Sequence, residues 1–105
     1  MANNQRRMVY SKLWTSEQFG KLSDKAKLMY IGMITLADDD GRLIGNPAYL
    51  RGQIFPYDED LSVTDALRLR NEAVGVGLII IYGGEKNGEK NGEIIVHPNW
   101  TEYQI

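Results

Sequence analysis

The fold is decided by residues 62–74, which read SVTDALRLRNEAV, and by the two short apolar runs that follow them. Ser62 and Asp65 have the spacing of a capping box, which predicts that a helix begins here and runs to about Val74. Positions three, four and seven apart share one face of a helix, so the pattern separates an apolar side from a polar side. The predicted buried side consists of Val63, Ala66, Leu67, Leu69 and Ala73. The predicted solvent side consists of Thr64, Arg68, Asn71 and Glu72.

Two runs of strand length follow this helix after Gly75 and Gly77. Leu78–Tyr82 reads LIIIY and Glu93–His97 reads EIIVH, and both runs are rich in β-branched residues. Such runs, bounded by glycine, indicate a pair of β-strands. Residues 83–92 between them repeat the letters GEKN, which predicts a long loop at the tip of a hairpin.

The first half of the chain predicts two more helices with a short strand between them. Ser23–Ala37 is apolar nearly all round, which indicates a helix at the centre of the core. Residues 38–41, DDDG, form a turn, and Arg42–Ile44 has the length of a short strand. Asn46 followed by Pro47 predicts a helix start, and this helix ends before Pro56.

The predicted order is therefore helix, strand, helix, helix and a two-stranded hairpin. This order indicates an α+β fold, a winged helix-turn-helix, in which the last helix enters the major groove of DNA and the hairpin is the wing. A chain of 105 residues fits one domain. We assign residues 1–14 to an N-terminal arm and residues 15–105 to the winged-helix domain, which opens with a helical turn over Thr15–Phe19 capped by Thr15.

Composition excludes several classes of function. The chain has no cysteine and one histidine, so thiolate metal sites are impossible and His97 has no ready catalytic partner. No phosphate-binding glycine loop is present, and residues 38–40 lack the ligand spacing of a calcium loop. We expect no enzymatic activity, no metal and no cofactor. The longest apolar run is too short to span a membrane, so we expect a cytoplasmic chain without a membrane partner.

Net charge gives little support for nucleic-acid binding, because the formal charge is −2. The charge is unevenly distributed, with eight basic and five acidic residues up to Arg51, and four basic and nine acidic residues after it. Whether the chain binds nucleic acid therefore depends on where its basic residues cluster on the surface.

The helix at residues 62–74 offers side chains that can bind bases. Arg68 can bind a guanine edge and Asn71 an adenine edge, while Thr64 can reach a base or a phosphate. The alternative is that Arg68 and Glu72 form an ordinary surface ion pair.

Two further sets of residues complete the predicted sites. Additional DNA contacts are expected at the wing, the arm and the preceding helix: Lys86, Asn87, Lys90, Arg6, Arg7 and Arg51. The wing has no net charge, so a solvated loop is the alternative there, and a disordered terminus is the alternative for the arm. A subunit interface is expected at the apolar arm residues: Met8, Val9, Tyr10 and Trp14.

Several short strings, in this order, resemble one family. They are LADDDGR at residues 36–42, Asn46-Pro47, IFPYD at residues 54–58, GLI at residues 77–79 with Tyr82, and WTEYQ at residues 100–104. Together they resemble the N-terminal winged-helix domain of phage replisome organisers, which are related to the DnaD-type primosome proteins of Gram-positive bacteria. The resemblance runs from about Tyr10 to Gln104.

The resemblance implies a replication initiator of a phage or prophage, acting in a bacterial host cell. Such a domain binds double-stranded DNA at the origin or helps to assemble the helicase loader and other primosome proteins. A linker and a helicase-interaction region normally follow it. We expect this chain to act as a homo-oligomer. Two alternatives remain open: a winged-helix module that makes protein contacts without touching DNA, and a small transcriptional repressor.

Overall fold

The computed structural model describes residues 6–86 and 89–103 and has an α+β architecture, as predicted. A short 3-10 helix, Ser11–Thr15, precedes the α-helices. The helices are α1 (Glu17–Gly20), α2 (Asp24–Leu36), α3 (Pro47–Ile54), α4 (Val63–Gly75) and α5 (Trp100–Tyr103). The strands are β1 (Arg42–Ile44), β2 (Ile80–Lys86) and β3 (Glu89–Val96). Within the described residues no helix is long and apolar enough to cross a membrane.

The strands form one antiparallel sheet in the order β1-β3-β2. Leu43 and Ile95 are paired and buried, so this face of the sheet covers the core. The neighbouring row, Ile44, Ile94 and Tyr82, is also in register but is exposed on the opposite face. The alternation of side chains along each strand thus gives the sheet an inner and an outer apolar surface.

The hairpin differs from the sequence prediction. Pairing between β2 and β3 continues to Lys86 opposite Glu89, so most of the predicted loop over residues 83–92 is strand. The ladder is irregular between Tyr82 and Gly84, and Gly83 has a φ of 89° there. Glycine adopts this angle without strain, so the chain bulges and resumes pairing instead of turning back. β2 also begins later than predicted, at Ile80 and not at Leu78.

The core lies between α2, α3, α4 and the inner face of the sheet. Met29, Met33, Leu50 and Leu69 are fully buried at the contacts between the helices. The sequence predicts that α2 is buried nearly all round. One side of the helix does face the core, but the other side faces solvent, because Leu28 is more than half exposed.

Side-chain caps fix where the long helices begin. Ser23 accepts a hydrogen bond from the backbone N–H of Ala26, and Asn46 accepts two from the first turn of α3. Ser62 Oγ accepts from Asp65 N at 3.0 Å and Asp65 Oδ2 accepts from Ser62 N at 3.0 Å, which confirms the capping box of α4.

The predicted cap at Thr15 is wrong. Ser16 caps α1 by accepting from Phe19 N, whereas Thr15 ends the 3-10 helix and donates to Lys12 O. Gln18, in the same turn, donates to Val76 O. The helix starts one residue later than predicted because the chain turns first through the 3-10 segment.

Candidate nucleic-acid interface

The exposed face of α4 contains the three predicted base-reading side chains. Thr64, Arg68 and Asn71 are all exposed. The predicted buried side of this helix is partly wrong, because Val63 is 46% exposed and Leu67 is 37% exposed. Ala66, Leu69 and Ala73 alone of the predicted set reach the core, since α4 meets its neighbours along a narrower stripe. Apolar and polar side chains therefore alternate on its outer face.

Arg68 is held loosely by two carboxylates. Its guanidinium lies 3.8 Å from Asp65 Oδ1 and 3.7 Å from Glu72 Oε2, and its side chain is 62% exposed. Exposed ion pairs of this kind contribute less than about 1 kcal/mol. Arg68 can therefore leave these partners for a stronger acceptor at small cost.

Both carboxylates also have structural roles: Asp65 belongs to the predicted capping box, and Glu72 has a role that the sequence analysis did not assign. The hydrogen bond from the Ser62 backbone lowers the pKa of Asp65, so this carboxylate stays ionised in the helix cap. Glu72 accepts 2.8 Å hydrogen bonds from the backbone N–H and the hydroxyl of Ser23, which ties α4 to the start of α2. Each acid is therefore engaged by hydrogen-bond donors of the fold as well as by Arg68.

Arg70 was missed by the sequence analysis and is the most buried charged residue among the described ones, with 4% of its surface exposed. Its Nη1 donates to Gly45 O at 2.8 Å and to Glu93 Oε1 at 3.0 Å. One guanidinium thus joins α4 to the end of β1 and to β3 at the base of the hairpin. The signal was present in the sequence, because position 70 falls on the same helical stripe as Ala66 and Ala73.

The same guanidinium holds the Asn71 amide. Arg70 Nε and Nη2 donate to Asn71 Oδ1 at 3.2 and 3.1 Å. A guanidinium has only donors, so the amide oxygen faces Arg70. The amide NH₂ group lies on the other side of the side chain.

The structure does not bring the other predicted arginines to this face. Arg51 donates to Leu61 O at 2.7 Å and to Asp58 O at 3.0 Å, so it clamps the loop between α3 and α4. Arg7 donates to Ala37 O at 2.9 Å and pairs with Asp39, while its guanidinium lies over the Trp100 ring.

Three predicted contacts of the wing fall outside the described part of the chain. Asn87 belongs to the residues not described, and the side chains of Lys86 and Lys90 are not described either. The backbone of Lys86 and Lys90 lies on the part of the hairpin that extends past β1. Arg6, at the beginning of the described residues, is exposed.

The predicted interface residues of the arm lie on the surface. Met8, Val9 and Tyr10 are between 36% and 40% exposed, and Trp14 is 66% exposed with its ring edge against Phe19. The first three line a groove of about 420 Å³ together with residues of α2 and of the segment from His97 to Trp100. They form an exposed apolar surface around the N-terminal segment.

The acidic turn before β1 is stabilised by its own backbone. Asp38 Oδ1 accepts from the N–H groups of Asp40 and Arg42, both at 2.9 Å. The hydrogen bond from Arg42 is the main cause of the lowered pKa of Asp38. Among the described residues no group of three His, Asp or Glu side chains could hold a metal ion.

His97 is buried at the end of β3, between the rings of Tyr30 and Trp100. Its Nε2 lies 3.1 Å from Met33 O, so the ring donates to this carbonyl. Desolvation lowers the pKa of His97 below its usual value near 6.5, and the bond to Met33 opposes this shift only in part. The ring is therefore neutral in the folded chain at neutral pH.

We expect the free energy of unfolding to rise as the pH is raised from about 5 to about 7 and then to level off. Below its ordinary pKa the unfolded histidine binds a proton that the folded His97 does not, so stability is lost as the pH falls. Urea unfolding at a series of pH values measures this slope, and His97→Gln should remove it. The carboxylates of Asp38 and Asp65 also favour the folded state at higher pH, but they titrate below about 4. An unfolding free energy that does not change between these pH values would contradict a buried, neutral His97.

Comparison with family models, with curated proteins and with solved structures finds no match to this chain.

Proposed function

We propose that this chain is a winged-helix module that binds double-stranded DNA, in which α4 enters the major groove and the β2–β3 hairpin is the wing. The order of elements and the β1-β3-β2 sheet are compatible with this fold. One observation carries the proposal: Thr64, Arg68 and Asn71 project outward from a helix that Arg70 fastens to the base of a protruding hairpin. The biological setting that we propose is a phage or prophage replication initiator, on the resemblance described above.

Charge supports weak binding with few phosphate contacts. Asp58, Asp60 and Asp65 border the N-terminal end of α4. Lys25 pairs with Asp58, and the carboxylates of Asp60 and Asp65 disfavour a nearby phosphate. Base edges are repelled less than phosphates, because they carry no net charge. Arg68 and Asn71 offer hydrogen-bond donors to the acceptors of these edges in the major groove. We therefore propose that affinity comes from a few base contacts. The salt dependence of the binding constant should correspond to about two phosphate contacts.

Arg68→Ala should weaken DNA binding by about tenfold, because one good contact between arginine and guanine is worth roughly 1–3 kcal/mol. Fluorescence anisotropy measures this with duplexes selected by the wild-type chain from a randomised pool. The matched control is Arg42→Ala, which removes the same charge from an exposed arginine on β1. Arg42→Ala should leave affinity within about twofold, since net charge acts weakly at a distance in salt.

Two results would contradict the proposal. The first is affinity weaker than millimolar for every duplex at low salt. The second is an equal loss for Arg68→Ala and Arg42→Ala, which would mean that only net charge matters and that α4 makes no specific contact.

The exposed arm favours a second candidate, an assembly module. Trp14 and Tyr10 are large and exposed, and Tyr10 lines the groove of the N-terminal segment. Exposed aromatic side chains of this size are typical of protein interfaces. Light scattering of Trp14→Ser against the wild-type chain separates the candidates: loss of an oligomer with DNA binding unchanged assigns the arm to assembly, and a monomer in both removes this candidate.

A further inference from the structure

The orientation of the Asn71 amide restricts which base it can read. Adenine is ordinarily recognised by an asparagine that accepts from the adenine amino group and donates to N7, so both ends of the amide are needed. In this chain the accepting end is already occupied by two N–H groups of Arg70. On its exposed side, the Asn71 amide therefore presents its NH₂ group as a donor, while its oxygen faces Arg70.

Arg70 keeps the amide in this orientation. If the Asn71 amide were reversed, its NH₂ group would face the Nε and Nη2 donors of the guanidinium, and four N–H bonds would point at one another. Arg70 cannot turn away to avoid this, because its Nη1 is bound to Gly45 O and Glu93 Oε1 and its side chain is only 5% exposed. The orientation of Asn71 is thus set by a buried neighbour.

We infer that Asn71 reads only hydrogen-bond acceptors, and so selects a keto base, guanine or thymine, with Arg70 as the positioning residue. Guanine offers N7 and O6 to the NH₂ group and thymine offers O4, whereas adenine offers N7 alone and cytosine offers a donor. This inference rests on the proposed function. It replaces the adenine contact that the sequence alone predicts for Asn71.

The experiment compares the base preferences of the wild-type chain and two variants. Each is used to select duplexes from a randomised pool, and the position whose preference disappears in Asn71→Ala is the base pair that Asn71 reads. There the wild-type chain should favour guanine or thymine over adenine by roughly tenfold. Asn71→Asp keeps an acceptor for Arg70 but presents no NH₂ group, so it should lose the keto preference and turn toward the cytosine amino group. Circular dichroism checks that both variants fold, which we expect because Asn71 is exposed.

The outcomes separate this inference from the proposed function. Adenine at the position lost in Asn71→Ala would overturn the inference and leave DNA binding intact. Selected sites that are identical for the wild type and Asn71→Ala would also overturn it. Failure to select any duplex would overturn both. A keto base in the wild type that changes toward cytosine in Asn71→Asp supports the inference, and a purely structural role for Asn71 would not produce that change.

Discussion

Arg70→Met lowers the free energy of unfolding by about 3 kcal/mol, because it removes one partner from a largely buried ion pair. Arg70 is 4% exposed, and its loss leaves Gly45 O and the Glu93 carboxylate without their donor. Methionine fills similar volume, so the expected loss comes from unpaired polar groups and not from a cavity. The Glu93 side chain is 32% exposed, and water offsets part of the cost. Urea unfolding followed by circular dichroism measures the change.

The same substitution two residues earlier is the control. Arg68→Met changes an exposed arginine on the same helix, with two loose ion pairs, and should alter the unfolding free energy by less than about 1 kcal/mol. Adding Glu93→Gln to Arg70→Met should recover part of the loss, because the unpaired carboxylate is then neutral. Equal effects of Arg68→Met and Arg70→Met would show that Arg70 does not hold α4 to the sheet.

Gly41→Ala destabilises the fold by about 3 kcal/mol, the sum of backbone strain and overpacking. Gly41 has a φ of 78°, in the left-handed region that residues with a Cβ rarely adopt. A Cβ here would lie 2.6 Å from Trp100 Cγ, which is much closer than van der Waals contact with the side chain at the start of α5. The residue cannot shift easily, because its N–H donates to Asp38 O and its carbonyl accepts from His97 N. Thermal unfolding measures the loss.

Gly52→Ala is the matched control within α3. A Cβ at Gly52 meets nothing within 4 Å. Alanine is favoured over glycine in a helix by about 1 kcal/mol, so this variant should be as stable as the wild type or slightly more stable. If Gly41→Ala unfolds at the same temperature as Gly52→Ala, the contact of Trp100 with the turn is not a constraint on the fold.

The starts of the long helices could be predicted because their signals are local. Ser62 with Asp65, and Asn46 with Pro47, need only neighbours within three residues to form their hydrogen bonds. The same locality explains the error at Thr15, because Ser16 next to it is an equally good cap and the preceding 3-10 helix decides between them. The length of the hairpin, in contrast, is not determined by neighbours in the sequence. It depends on whether Gly83 bulges against Gly92 on the other strand, which composition does not reveal.

The sequence predicts which side chains of α4 are exposed at the candidate site, but it does not predict the hydrogen bonds that these side chains and their neighbours make. Helical spacing was sufficient to place Thr64, Arg68 and Asn71 on the outer face of α4. The partners of Arg70 and Glu72, however, lie more than twenty residues away along the chain, at Glu93, Gly45 and Ser23. Such contacts exist only after the helices and the sheet have packed, and they decide which groups on α4 are available for binding. A charge count over the sequence treats every acid as equally repulsive and cannot make this distinction.

The contact of Arg7 with Trp100 has a topological consequence. It brings the first described residues beside the last ones, with the guanidinium 5.5 Å from the ring centroid. The described body therefore starts and finishes at one region of its surface, which is the geometry that favours circular permutation, with a new opening at an exposed loop such as the one around Tyr57.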